Sequence, residues 1–158
     1  MSRGIKSSAM KTKLFLLIAL PLAFSLLSSF VVRPGVDTFE VYLGNELLMK
    51  ERAYGQRSNN PIVLDKNSNA TMTVSYDHCG ITGSSRKLSL LDEQKRVLKE
   101  WTFANVGSKV KDPMPIAVKE IVAASMGKSA TLYYKSNEIE NAVMIAPVKL
   151  ADKTTARN

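Results

Sequence analysis

The chain has 158 residues, one histidine, one cysteine and a formal net charge of +8. Five of the 22 basic residues and none of the 14 acidic residues lie before position 34, so the remainder carries only +3. That value is typical of an ordinary soluble surface and argues against a nucleic-acid partner. A single cysteine cannot close an intramolecular disulfide, so the fold must be stabilised by its hydrophobic core.

Residues 1–33 predict export. Basic residues precede an apolar run over 14–32 that contains no acid, and a basic start, an apolar middle and small residues are the parts of a signal peptide. Ala23-Phe24-Ser25 offers a cleavage site, and Pro21 would kink a permanent membrane helix. The run is also long enough to cross a bilayer once, so an uncleaved N-terminal anchor is the alternative.

Both alternatives place the rest of the chain outside the cytoplasm, in the periplasm or at the cell surface. We expect one β-domain over 34–150 and a flexible polar tail over 151–158. Contact with the membrane is expected only through an uncleaved N-terminus, in which residues 14–32 would hold the protein.

The first part of the predicted domain alternates apolar and polar residues with a period of two, which is typical of β-strands. Two extended segments flank Gly44-Asn45 and predict a tight hairpin, because glycine accepts the positive φ of such a turn. A short strand begins at Pro61. The clearest strand covers 69–77, with Ala70 and every second residue after it on one face.

A second hairpin is predicted to turn at residues 92–95. If Leu91 pairs with Arg96, then Lys87 lies opposite Glu100 and Arg86 lies opposite Trp101. The first pair would be ionic and the second a cation–π contact.

The pattern changes to a helical one from Pro115, and Gly127 is a natural helix end. A strand is the alternative, because β-branched residues are frequent in this stretch. The predicted buried face of this helix contains Ile116, Val118, Ile121, Val122 and Met126. Two further strands follow, and Pro147 predicts that the last one lies at a sheet edge.

These elements predict a mainly β fold of seven to eight strands with one short helix, after an N-terminal hydrophobic helix. Many short strands separated by turns favour an antiparallel β-sandwich, loosely immunoglobulin-like, or a small barrel. The alternation implies one wet face per sheet, which parallel sheets seldom have.

His78 and Cys79 are the residues most suggestive of chemistry, and four interpretations compete. A zinc site lacks further His or Cys ligands, and a Cys79 nucleophile activated by His78 conflicts with the opposite directions of strand neighbours. An intermolecular disulfide needs only exposure of Cys79. The favoured interpretation is structural: Cys79 is a small buried residue, and His78 is a solvated or hydrogen-bonded neighbour at the mouth of a loop.

A candidate binding surface comprises Trp101, Tyr133, Tyr134, Lys109 and Lys111. Alternation predicts that one of the two adjacent tyrosines faces outward, and exposed aromatics occur at partner surfaces. The two lysines lie in a short polar segment that a solvated loop also explains.

No catalytic constellation is visible, and no cofactor or metal is expected. The sequence therefore favours an exported, non-catalytic β-domain that binds an envelope or extracellular protein or a glycan. The alternative is a thiol-dependent protein that uses Cys79 for an intermolecular disulfide or as a nucleophile near His78.

Overall fold

Over the residues that the structure describes, the protein is mainly β, with nine strands in two sheets and one short helix. The structure, a computed structural model, describes residues 36–56, 58–80, 83–105 and 112–152. The predicted N-terminal hydrophobic helix lies outside these residues, as does the tail after Asp152. The elements are β1 Thr38–Leu43, β2 Glu46–Arg52, β3 Ile62–Asp65, β4 Thr71–Asp77, β5 Arg86–Leu91, β6 Val97–Phe103, β7 Pro113–Ala117, α1 Val118–Ser125, β8 Ala130–Lys135 and β9 Val143–Ala151.

The first sheet has the strand order β2-β1-β4-β7, and its pairs are antiparallel. The hairpin predicted at Gly44-Asn45 is confirmed, and Gly44 adopts φ +58°, where a side chain would be strained. The face predicted for β4 is also confirmed, because Met72, Val74 and Tyr76 are buried.

The second sheet has the order β3-β9-β8-β5-β6. The prediction of purely antiparallel pairing is wrong for β3, which runs parallel to β9. The barrel alternative is also wrong for the described part of the chain, because the strands divide into two open sheets.

Strand β7 is the element that the prediction missed, so the described residues contain nine strands where seven or eight were expected. It contains Pro113 and Pro115, and Ile116, which was predicted to lie on the helix, lies in this strand. Both prolines are tolerated because β7 is the last strand of its sheet, where a missing N–H can face away from the neighbouring strand.

Pro147 does not lie in an edge strand, contrary to prediction. It lies in β9, between β3 and β8. Pairing with β3 begins only at Val148, so the strand is unpaired on that side, within the described chain, where the proline occurs.

The register predicted for the second hairpin is wrong. A bulge between Leu90 and Leu91 shifts the pairing, so Trp101 lies opposite Leu88 and Arg86 lies opposite Phe103. The predicted cation–π pair is therefore absent from this register. The ionic pair still forms on the diagonal, with Lys87 Nζ 2.9 Å from Glu100 Oε1.

Helix α1 begins where β7 ends, and the backbone N–H of Val118 donates to the carbonyl of Ala70 at 3.0 Å. Val118 and Ile121 are buried as predicted. Met126 is 78% exposed, which contradicts its predicted place on the buried face. It caps the helix with a left-handed φ of 49°, which ends the helical direction of the chain.

Buried side chains from both sheets and from α1 form one hydrophobic cluster. Helix α1 contacts β5, β6 and β7, so it covers the part of the hydrophobic cluster that these three strands line. The largest fully buried side chains are Tyr134, Phe39, Leu64, Met72, Leu88, Leu90, Met114, Ile116, Ile121, Leu132, Ile145 and Val41.

Candidate functional site

His78 and Cys79 lie in opposite environments, and the favoured prediction for Cys79 is wrong. Cys79 is exposed, whereas His78 is only 6% exposed. Strand β4 ends at Asp77, and the carboxylate Oδ1 of Asp77 accepts the backbone N–H of Cys79 at 3.0 Å. This turn gives Cys79 a left-handed φ of 57° and places it outside the core.

The imidazole of His78 joins the two sheets. Its Nε2 lies 2.9 Å from the Tyr134 hydroxyl and 3.3 Å from the Ser136 hydroxyl, both at the end of β8. Its Nδ1 lies 3.7 Å from Asp37 Oδ2, just before β1. One ring therefore links the first sheet, which carries His78, to the second sheet.

Tyr76 packs between these groups. Its ring stacks on that of Tyr134 with centroids 4.2 Å apart, and it meets the ring of His78 at 4.6 Å. Its hydroxyl donates to Asp37 Oδ2 at 3.1 Å. We call Asp37, Tyr76, His78, Tyr134 and Ser136 the inter-sheet cluster.

Gly83 packs directly against His78. A Cβ at position 83 would lie 3.1 Å from His78 Nε2 and 3.0 Å from Arg86 Cδ, which is tighter than ordinary contact. A side chain at position 83 would therefore require the His78 ring or the Arg86 side chain to shift by a few tenths of an ångström.

Burial dominates the titration of the inter-sheet cluster. It lowers the pKa of His78 below 6.5, and the charge of Arg86 acts in the same direction, whereas nearby carboxylates oppose the shift. Burial also raises the pKa of Tyr134 to about 12. It raises the pKa of Tyr76 as well, with the charge of Asp37 as the second cause. All three side chains are therefore neutral at pH 7.

Two further contacts stabilise the chain next to the inter-sheet cluster. Burial raises the pKa of Glu138, but hydrogen bonds from the side chain and backbone of Ser84 outweigh it and lower the pKa to about 2. The buried guanidinium of Arg86 donates to the carbonyls of Ala104 and Asp112 and to the Asp112 carboxylate at 2.8 Å. Arg86 therefore links Ala104 to Asp112, which lie on either side of the segment that contains Lys109 and Lys111.

The inter-sheet cluster contains the residue types of a hydrolase triad, with a carboxylate beside one ring nitrogen and a hydroxyl beside the other. Its environment differs from that of an active site, because Ser136 is 2% exposed and Tyr134 is fully buried. Two clefts lined by described residues lie elsewhere. One, of about 310 Å³, includes Leu43 and Val63; the other, of about 470 Å³, includes Lys50 and Arg52. Both hydroxyls that contact the His78 ring are therefore enclosed within the fold.

The three described residues of the predicted binding surface, Trp101, Tyr133 and Tyr134, do not share one exposed face. Tyr134 is buried, and Trp101 and Tyr133 are half-buried on opposite faces of the second sheet. Trp101 lies opposite the buried Leu88, whereas Tyr133 lies opposite Ser89 on the outward face. The indole N–H of Trp101 donates to Glu120 of α1 at 2.9 Å. Lys109 and Lys111 lie outside the described residues.

The described residues contain no group of three side chains suited to hold a metal ion. Over the same residues, no helix has both the length and the apolar character needed to span a membrane. No protein-family model matches the chain, and no curated protein matches it either.

Part of the inter-sheet cluster had a signal in the sequence. The alternation of β4, continued by one step beyond Tyr76, places His78 on the inward face. The same alternation on β8 places Tyr134 inward with Leu132. Continued by one step beyond Tyr134, this alternation also places Ser136 inward. No pattern indicated Asp37, which precedes β1 and is brought to His78 by the fold.

The pH dependence of stability tests the neutral, buried state of His78. Above pH 6.5 the ring is neutral in both the folded and unfolded chains. Below pH 6.5, His78 of the unfolded chain becomes protonated while the buried ring of the folded chain stays neutral. As the pH decreases, the free energy of unfolding therefore decreases, until the pH reaches the lowered pKa of His78 in the folded chain. From pH 7.5 to 5.5 we expect His78 to account for a loss of up to about 1.4 kcal/mol in the free energy of unfolding.

Urea denaturation at a series of pH values measures this loss, and the matched variant is His78→Gln, whose side chain does not titrate. Its stability should fall less steeply than that of the wild type, whatever its absolute stability. Equal slopes for the two proteins would contradict the proposed state of His78.

Proposed function

We propose that this protein is an exported, non-catalytic β-sandwich domain, loosely immunoglobulin-like, that binds another component of the cell envelope through an open sheet edge. Export to the periplasm or cell surface is inferred from the basic and apolar pattern of residues 1–33. The sandwich is supported by the two sheets and their common hydrophobic cluster.

The observation that supports this function most strongly is a pair of long open edges, one on each sheet. Within the described residues, β2 pairs only with β1, and β6 pairs only with β5. Each has seven residues and no proline. An open strand offers unpaired N–H and C=O groups that an extended peptide can satisfy.

The other two edges are poorer surfaces for strand addition. Strand β7 has two prolines, and β3 has only four residues. The backbone groups of β2 and β6 recognise an extended peptide, which favours a protein over a glycan as the partner.

The location of the polar groups supports a non-catalytic role. His78, the imidazole of the chain, is used inside the fold to join the sheets.

Trp101, which was predicted to contact a partner, lies on β6 and gives that edge an aromatic side chain.

Site-specific photo-crosslinking in cells tests this proposal. A photoreactive amino acid at the exposed Thr102 of β6 should form a crosslink to an envelope component. The matched control is the exposed Asn141, in the connection between β8 and β9, which should give no such product. No crosslink from Thr102, or the same products from both positions, would contradict binding at the edge.

A second candidate function uses Cys79, because the structure exposes this thiol. The form in which His78 activates it is not supported, since the ring of His78 is buried against Tyr134. An intermolecular disulfide needs only exposure and an oxidising compartment.

This candidate predicts a larger species on a non-reducing gel of the envelope fraction. The species should disappear with reductant and with Cys79→Ser. A thiol that stays free in the envelope, and reacts at once with maleimide, would contradict this candidate and leave the edge-binding proposal intact.

A further inference from the structure

Strands β2 and β6 each direct a charged side chain toward the core side of an open edge. Glu51 lies opposite the buried Phe39 of β1, and Lys99 lies opposite the buried Leu90 of β5. An inward charge on an edge strand disfavours indiscriminate pairing, because an apolar partner strand would bury it without a counter-ion. Each edge therefore selects a strand with the opposite charge at that position.

The two edges of this chain meet that requirement for each other. When β2 of a second copy is placed antiparallel beside β6, with Lys99 opposite Glu51, the next residues also match. Glu100 then lies opposite Lys50 of the second copy. These two pairs occupy opposite faces of the joined sheet, so the charges are complementary on both faces.

The same alignment brings two large side chains together. Trp101 falls opposite Met49 of the second copy, and both lie on core-facing sides, since their partners within the chain are Leu88 and Val41. Both are half-buried. Sulfur–aromatic contacts of this kind are favourable.

Existing ion pairs extend the match across the outer face. Within one copy Lys50 Nζ lies 2.9 Å from Glu40, and Lys87 Nζ lies 2.9 Å from Glu100. Joining β2 to β6 would place the two pairs side by side. The result is an alternating row of four charges, Glu40, Lys50, Glu100 and Lys87, over four strands.

We propose that β6 of one copy binds β2 of a second copy in this antiparallel register. The inference rests on the proposed function, in that it takes the open edges to be binding surfaces, and it identifies the partner as the chain itself. The two surfaces of the interface are different strands. After one contact, the first copy therefore still has its β2 edge open, and the second copy still has its β6 edge open. Such a contact repeats and either closes into a ring or grows as a filament.

Sedimentation of the full chain, purified in mild detergent with reductant to exclude Cys79 disulfides, tests the inference. The wild type should form assemblies whose mass increases with concentration. Lys99→Glu and Glu51→Lys should each weaken self-association by about fivefold or more, because like charges then face each other. An equimolar mixture of the two variants should restore it, because the altered β6 edge of one matches the altered β2 edge of the other.

The matched control is Lys149→Glu, an exposed charge reversal on β9, which should leave self-association unchanged. A wild type that stays monomeric at every concentration would overturn the inference, as would a failure of the mixture to recover. A monomer in solution together with a Thr102 crosslink to a different envelope protein would overturn self-pairing but retain the proposed function. Self-association in solution, with a Thr102 crosslink in cells only to a second copy of the chain, would support self-pairing and contradict a separate envelope partner.

Discussion

The contact between the imidazole of His78 and the hydroxyl of Tyr134 is the constraint on which the rest of the arrangement depends. Polar groups of this kind are costly to bury unless they find partners. Here His78 comes from the first sheet and Tyr134 from the second, at 2.9 Å. The partners are satisfied only when the two sheets are docked correctly, and Asp37 and Tyr76 extend the same requirement. The inter-sheet cluster therefore specifies how the sheets pack.

In the proposed function, this use of the polar side chains leaves the backbone of the open edges as the main means of recognition. The imidazole of His78 and the side chains of Tyr134 and Ser136 are buried, while β2 and β6 remain open edges within the described chain. Helix α1 contacts β5, β6 and β7, and the two prolines of β7 limit that edge. The proposed function would use backbone hydrogen bonds at an open edge, as strand addition does in general. In the proposed self-pairing, the inward charges of Glu51 and Lys99 would penalise strands with the wrong sign.

Alternation in the sequence was enough to predict the class of fold, the first hairpin, β4 and the short helix, because each depends on local periodicity. Alternation did not predict the features that depend on pairing between segments distant in the sequence. The parallel pair β3–β9 joins distant segments, and the bulge at Leu90/Leu91 shifts a register that no local pattern reveals. Strand β7 was missed because Pro113 and Pro115 are compatible with a strand only at an edge. Burial of Cys79 was the wrong prediction, because the chain leaves the alternation of β4 after Asp77 and turns Cys79 outward, whereas His78 has the hydrogen bonds that one of the two predicted alternatives gave it.

The free energy of unfolding of Tyr134→Phe, compared with Tyr133→Phe, tests most directly whether the inter-sheet cluster holds the sheets together. Both variants remove one hydroxyl from adjacent residues of β8, but only Tyr134 faces His78. Loss of a buried hydrogen-bond partner should cost Tyr134→Phe about 1–3 kcal/mol, whereas Tyr133→Phe should change stability by no more than about 0.5 kcal/mol. Equal effects of the two substitutions, or no loss in Tyr134→Phe, would contradict the account.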